Sequence, residues 1–261
     1  MMLKLDLSGK VALVTGGAGQ LGRTMVRTLA ECGADVVICY YSQNDFADDL
    51  KNEVMQKFGV KALTVQADIT DLDSVMKMKE EVNAVFDVVD IIVNNAFIST
   101  PWETILDQPL EDYDLEYKSC MLHSVIMSKA FVPDMIKQKF GRVIGINTEC
   151  SMQMFSYQSA YAGAKRGMDG IYRVLAREVG EYGITVNQVA PGWMISDNCR
   201  DTDGTESNYR QDFIYTDRVP LKRRGTDQDI ANAVCFLASD LAGFISGVYL
   251  PVCGGNVMPC I

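Results

Sequence analysis

Tyr161 and Lys165 stand four residues apart in the run Ser159-Ala160-Tyr161-Ala162-Gly163-Ala164-Lys165. On a helix that spacing puts both side chains on one face. A phenol of pKa ~10 is a poor acid/base at neutral pH. An ammonium about 6 Å away favours phenolate and draws that pKa toward the working range. Many amphipathic helices carry the same pattern, so the pair acquires meaning only from its surroundings. Two surroundings supply it. Thr148 offers a hydroxyl where a strand ends ahead of the helix. Thr15-Gly16-Gly17-Ala18-Gly19-Gln20-Leu21-Gly22 lies where a first strand gives way to a first helix. Glycines at such a junction let backbone N–H groups approach a pyrophosphate, and the helix N-terminus adds its dipole. No Gly-Lys-Ser/Thr follows, so the turn is not a P-loop.

The elements that must hold these residues follow a regular beat. Strands are read at Val11–Val14, Val36–Cys39, Ala62–Val65, Ile91–Val93, Arg142–Ile146, Thr185–Val189 and Val248–Val252. Helices fall between them, over about Gln20–Cys32, Phe46–Phe58, Leu72–Phe86, Leu110–Lys139, Ser159–Glu181 and Asp227–Ala238. Short apolar strands alternating with helices predict a parallel sheet covered on both faces. The reading is a doubly wound (Rossmann-type) α/β fold with seven parallel strands. No linker or repeat divides residues 1–261, which read as a single dinucleotide-binding and catalytic domain. The least regular stretch, 192–225, reads as a lid over the substrate end.

Composition removes several function classes. The apolar share of 48% supports a sizeable core, and a net charge of -10 opposes a polyanionic partner such as nucleic acid. Eight cysteines without a C-x-x-C, and the single His123, form no recognisable zinc set, so no metal is expected. They read as reduced thiols of a cytoplasmic protein. No signal peptide and no membrane span are expected.

Taken in order, these motifs resemble the short-chain dehydrogenase/reductase family, in its single-domain branch, from Gly9 to Gly255. In general look the chain is most similar to the bacterial β-ketoacyl carrier-protein reductases. The ordered set includes Asp68 after the third strand, Asn94-Asn95-Ala96 after the fourth, Tyr161-x-x-x-Lys165, and Pro191-Gly192 after the sixth. The resemblance implies an NAD(P)-dependent oxidoreductase that moves hydride between nicotinamide and a carbonyl or secondary alcohol. Tyr161, Lys165 and Thr148 would be catalytic. Gly16, Gly19, Gln20, Leu21, Gly22, Asp68, Ile69, Asn95, Ala96, Lys165, Pro191, Gly192 and Ser196 would hold the cofactor. Substrates of 3-oxoacyl, ketone, sugar or steroid type all remain open.

The chain departs from the family pattern at several places. Gln20 replaces the middle glycine of the turn. Thr148 replaces the usual serine, with Ser151 as a second candidate hydroxyl. Cys120 stands for an asparagine, Phe97 for a glycine, and Cys253 for a frequent aspartate. A thiol is a weaker hydrogen-bond partner than an amide. These departures leave an alternative: a catalytically weakened dinucleotide-binding relative acting as a sensor or structural subunit.

Selection between cofactors rests on the end of the second strand, Cys39-Tyr40-Tyr41-Ser42, where no carboxylate claims the ribose hydroxyls. With Tyr41 and Ser42 there, NADP is favoured over NAD. The partner is a small carbonyl or alcohol. Met152, Met154, Phe155 and Tyr157 could line its pocket. The dense small residues of the Tyr161 helix, beside the Leu110–Lys139 helix, point to a homotetramer. His123, on that long helix, reads as an interface or surface residue.

Overall fold

The computed structural model describes residues 5–42, 44–195 and 214–258. Seven strands form one parallel sheet: β1 (Val11–Thr15), β2 (Asp35–Tyr40), β3 (Ala62–Gln66), β4 (Ile91–Asn94), β5 (Gly141–Ile146), β6 (Ile184–Pro191) and, last in the chain, β9 (Tyr249–Val252). Their order is β3-β2-β1-β4-β5-β6-β9. Because the strands are buried on both faces, successive residues serve opposite layers. In β1, Ala12 and Val14 pack with helices α1 (Gln20–Glu31), α2 (Asn44–Phe58) and α8 (Asp227–Ala238). Leu13, between them, packs with α3 (Leu72–Asn83), α5 (His123–Gln138) and α7 (Ser159–Val179). The expected doubly wound sheet, with helices on both faces, is what the chain forms.

The strand order reverses between β1 and β4, which pair in register at Val14 and Val93. A crevice opens at the carboxyl ends of strands on either side of such a reversal. The glycine turn and Asn94-Asn95-Ala96 both leave the sheet at that point.

Two elements differ from expectation. The single helix read over Leu110–Lys139 is three pieces: α4 (Leu110–Glu116), a π-helical turn at Tyr117–Leu122, and α5. One residue more per turn shifts every side chain after Cys120 around the axis, and such turns recur at functional sites. The segment 192–225 is also less irregular than its sequence suggests. Short strands β7 (Met194–Ile195) and β8 (Gly225–Thr226) pair with each other, and residues 214–218 form a helical turn. The two ends of the segment are thereby pinned together.

Candidate active site

The crevice is shaped by glycines. Gly16 has φ +62°, and a Cβ there would come 3.1 Å from Ala96 Cβ and from Asn95 Nδ2. A Cβ on Gly22 would lie 2.1 Å from the Gly16 carbonyl oxygen, so no side chain fits. Gly17 N–H donates to Cys39 O at 2.9 Å and ties the turn to β2. Across the crevice, Asn95 Nδ2 donates to Thr15 O at 2.9 Å, while Asn95 N–H and Ala96 N–H donate to Thr15 Oγ1 at 3.0 and 3.1 Å. Asn95 therefore braces the turn. Helix α1 begins at Gln20 and has no acidic residue in its first turn to compete for its N–H groups. Such a cradle of unobstructed backbone fits a dinucleotide pyrophosphate. Tyr41 and Ser42 are exposed beyond β2. Asp68 Oδ1 accepts from Thr70 N–H and Oγ1 at 2.9 and 2.7 Å, with Ile69 buried beside it.

Thr148 follows β5, and its side chain lies beside the Tyr161 phenol in the wall of one cavity. Asn147 orders the neighbourhood. Its Oδ1 accepts from Thr148 N–H at 2.8 Å, and its Nδ2 donates to Lys165 O at 3.0 Å and Gln188 Oε1 at 2.7 Å. Ser151 is fully buried and turned away. Its hydroxyl donates to Thr148 O at 2.9 Å and meets Tyr249 Oη at 3.1 Å. The hydroxyl beside Tyr161 belongs to Thr148.

Lys165 corrects one expectation. It is buried, and its Nζ donates to Ile146 O at 2.7 Å, 5.9 Å from the Tyr161 ring centroid. The phenol is pushed up, not down. Burial is the main cause, Thr148 pulls the other way, and Cys120, Cys150 and Glu116 add to the rise. A carbonyl oxygen holds the ammonium, and the Tyr161 phenol is neutral in this geometry. Phe97, in the family's glycine position, packs on both groups, 5.6 Å from the Tyr161 ring centroid and 5.3 Å from Lys165 Nζ.

His123 supplies a second correction, since it is buried rather than at a surface or interface. Its imidazole is pushed down to about 3, first by burial and then by the Lys165 charge. The π-helical turn brings it inward. Cys120 lies in that turn, with its thiol donating to Glu116 Oε2 at 3.4 Å, and burial pushes the thiol up to about 11. Glu116 is itself buried, accepting from Thr100 N–H at 3.3 Å and Oγ1 at 3.1 Å, and burial raises its carboxyl above the usual range.

A cavity of about 550 Å³ opens onto Tyr161, walled by Phe97, Trp102, Glu116, Phe155, Trp193 and Tyr215. Of the residues expected to line it from the segment after Thr148, Phe155 does. Met154 and Tyr157 line a neighbouring concavity instead. Glu149, next to Thr148, accepts from Tyr215 Oη and Asn256 Nδ2, both at 3.0 Å, and so joins the 214–218 turn to the C-terminal loop. Tyr215 Oη also accepts from Trp193 N–H at 2.8 Å. Gly192 allows that approach, because a Cβ there would lie 2.5 Å from Tyr215 Oη. Pro191 O accepts from Glu149 N–H at 2.9 Å. Ser196 lies outside the described residues. Asn147, Glu116, Glu149 and Gln158 were not singled out by sequence reasoning. Only Glu116, one helical turn before Cys120, carried a spacing that could have drawn attention.

A family model described as enoyl-(acyl carrier protein) reductase matches residues 16–256. The 3-oxoacyl-[acyl-carrier-protein] reductase of Escherichia coli K12 is 36% identical over 255 residues, covering 97% of this chain and 100% of that one. That of Staphylococcus epidermidis is 34% identical over 259 residues, covering 95% and 99%. That of Aquifex aeolicus is 32% identical over 253 residues, covering 97% and 99%. The chain belongs to the short-chain dehydrogenase/reductase family. As a member of it, the protein is an NAD(P)-dependent oxidoreductase acting on C=O and CH–OH groups. Among the described residues, no helix is long and apolar enough to cross a membrane.

Proposed function

We propose that this short-chain dehydrogenase/reductase reduces a ketone with NADPH, using Tyr161 as the proton donor. The whole chain acts as one cofactor-binding and catalytic domain, with 192–225 as its lid. The observation that carries the reading is the placement of the Thr148 and Tyr161 side chains together in the wall of one cavity, with Lys165 buried beside them. The glycine cradle, Asn95 and Asp68 hold the dinucleotide across the sheet reversal, and Gln20, Leu21, Ile69, Ala96, Pro191, Gly192 and Ser196 complete its envelope. When bound, NADPH would supply the hydride for the carbonyl carbon. Thr148 and Tyr161 grip the carbonyl oxygen, and the Tyr161 proton passes to that oxygen as the alcohol forms. Burial keeps the phenol neutral, the protonation state that a proton donor needs. Lys165, buried on the same helix face, would hold the ribose of the bound cofactor.

The absence of a carboxylate after β2 supports NADP over NAD, since no negative charge there opposes a 2′-phosphate. A homotetramer is supported by an apolar groove along α5 and α7 that includes Val125, Val132, Ile136, Ile171 and half-exposed Val174. The site of action proposed is the cytoplasm, and the 3-oxoacyl-[acyl-carrier-protein] for which the relatives are named is one candidate substrate. No observation favours the sensor reading.

The test is NAD(P)H oxidation against a carbonyl panel for wild type and Tyr161→Phe, with dissociation constants for both cofactors. The variant should lose activity by a factor of about 10²–10⁴ while still binding NADPH. Equal rates in the two proteins would remove Tyr161 from the chemistry. Tighter NADH than NADPH binding would reverse the cofactor preference.

A further inference from the structure

Two polar side chains in the wall of the Tyr161 cavity are buried by more than nine-tenths and have hydrogen-bonding capacity that the described residues do not meet. Gln158 is 6% exposed, and its Oε1 has no hydrogen-bond partner among the described residues. It stands at the N-cap of α7, a position where a side chain usually caps the helix, yet it makes no cap bond. Glu116 is 1% exposed. Its Oε1 accepts twice from Thr100, but Oε2 has only the Cys120 thiol, a weak donor at 3.4 Å. A carboxylate offers about four acceptor sites, so Oε2 can still accept from a stronger donor. Glu149, the other carboxylate in this wall, is not comparable, because each of its oxygens already has a donor.

Buried acceptors without donors are costly, and a site keeps them where a ligand satisfies them. We infer that the cavity takes a hydroxylated carbonyl compound, a ketose or polyol-like ketone, whose hydroxyl groups donate to Glu116 Oε2 and Gln158 Oε1 while its carbonyl oxygen meets Thr148 and Tyr161. A 3-oxoacyl chain is the wrong complement: its tail has no donor, and its thioester carbonyl is another acceptor. Either would leave Glu116 and Gln158 buried and unsatisfied. The assignment rests on Tyr161 and Thr148 as the carbonyl-binding pair and names what the rest of the cavity recognises.

Steady-state kcat/KM with NADPH should be measured on a four- or five-carbon ketose, the unsubstituted ketone of equal carbon count, and an acetoacetyl thioester. The ketose should lead by about a hundredfold, since a site built to bond substrate hydroxyls rejects analogues lacking them. Gln158→Met and Glu116→Gln should each shrink that lead at least about tenfold, through KM more than kcat. Independently, calorimetry should show an alditol binding the full chain in the presence of NADPH, a pair that cannot react, with the matched deoxygenated alcohol failing to bind. Turnover of the plain ketone or thioester at or above the ketose rate, with no alditol binding, overturns this inference and leaves the oxidoreductase reading intact. Alditol binding without turnover of any carbonyl supports the pocket assignment and sinks the role given to Tyr161.

Discussion

At the level of single residues, the site is built from substitutions that keep a function while changing its means. Thr148 retains the hydroxyl of the family's serine and adds a methyl that stiffens χ1. Thr148→Ser should retain most activity, whereas Thr148→Val should lower kcat/KM by about ten- to a hundredfold, the loss of one hydrogen bond to a developing charge. A Val variant as active as the Ser variant would show that the hydroxyl is idle. His123 makes a pH-dependent prediction. Its folded pKa, about 3, lies below the unfolded value of about 6.5. The unfolded chain therefore binds more protons below that value, and stability is lost as pH falls from about 6.5 toward 3. The slope is about 1.4 kcal/mol per pH unit, or on the order of 2 kcal/mol by pH 5. Glu116 and Glu149, both raised by burial, act in the opposite sense, so the contribution of His123 is read as a difference. Urea midpoints at pH 7.5 and 5 should fall less for His123→Asn than for wild type. Equal falls would refute the assignment.

At the level of elements, two local features decide geometry. The π-helical turn at Tyr117–Leu122 aims Cys120 and His123 inward. The spacing of apolar residues alone does not show it, because a regular helix over the same residues leaves a similar apolar stripe. The glycine turn is the opposite case and was readable. Alanine at position 22 gains about 1 kcal/mol of helix propensity. Its Cβ would, however, stand 2.1 Å from Gly16 O, a backbone atom that cannot rotate away. The clash wins: Gly22→Ala should destabilise by about 1–3 kcal/mol and weaken NADPH binding at least about tenfold. Unchanged thermal stability and cofactor affinity would mean that the turn is looser than the structure shows. The β7–β8 pairing and the Glu149–Tyr215 bond similarly turn an irregular stretch of sequence into a segment with fixed ends.

Over the whole molecule, the parallel sheet buries apolar side chains on both faces, and its strand reversal sets the glycine turn against Asn95 and Ala96 at the carboxyl ends of the strands. The remaining apolar surface along α5 and α7 is the face that self-association would cover. Val174→Asp, in the middle of that groove, should shift light-scattering mass below that of wild type and lower Tm. A wild type that already scatters as a monomer would exclude the homotetramer.

What the sequence determined by itself is whatever depends on short spacing within one element or on the order of elements. The glycine turn, the four-residue step from Tyr161 to Lys165, and the alternation of strands and helices are of that kind, and they set fold, family and cofactor class. The tertiary structure decided what depends on groups meeting across elements. It turned Lys165 toward the Ile146 carbonyl, chose Thr148 over Ser151, buried His123, and gathered Glu116, Gln158 and Tyr161 around one cavity. Burial and charge then set the protonation of those groups. Both depend on neighbours that lie tens of residues away along the chain, which no local pattern records.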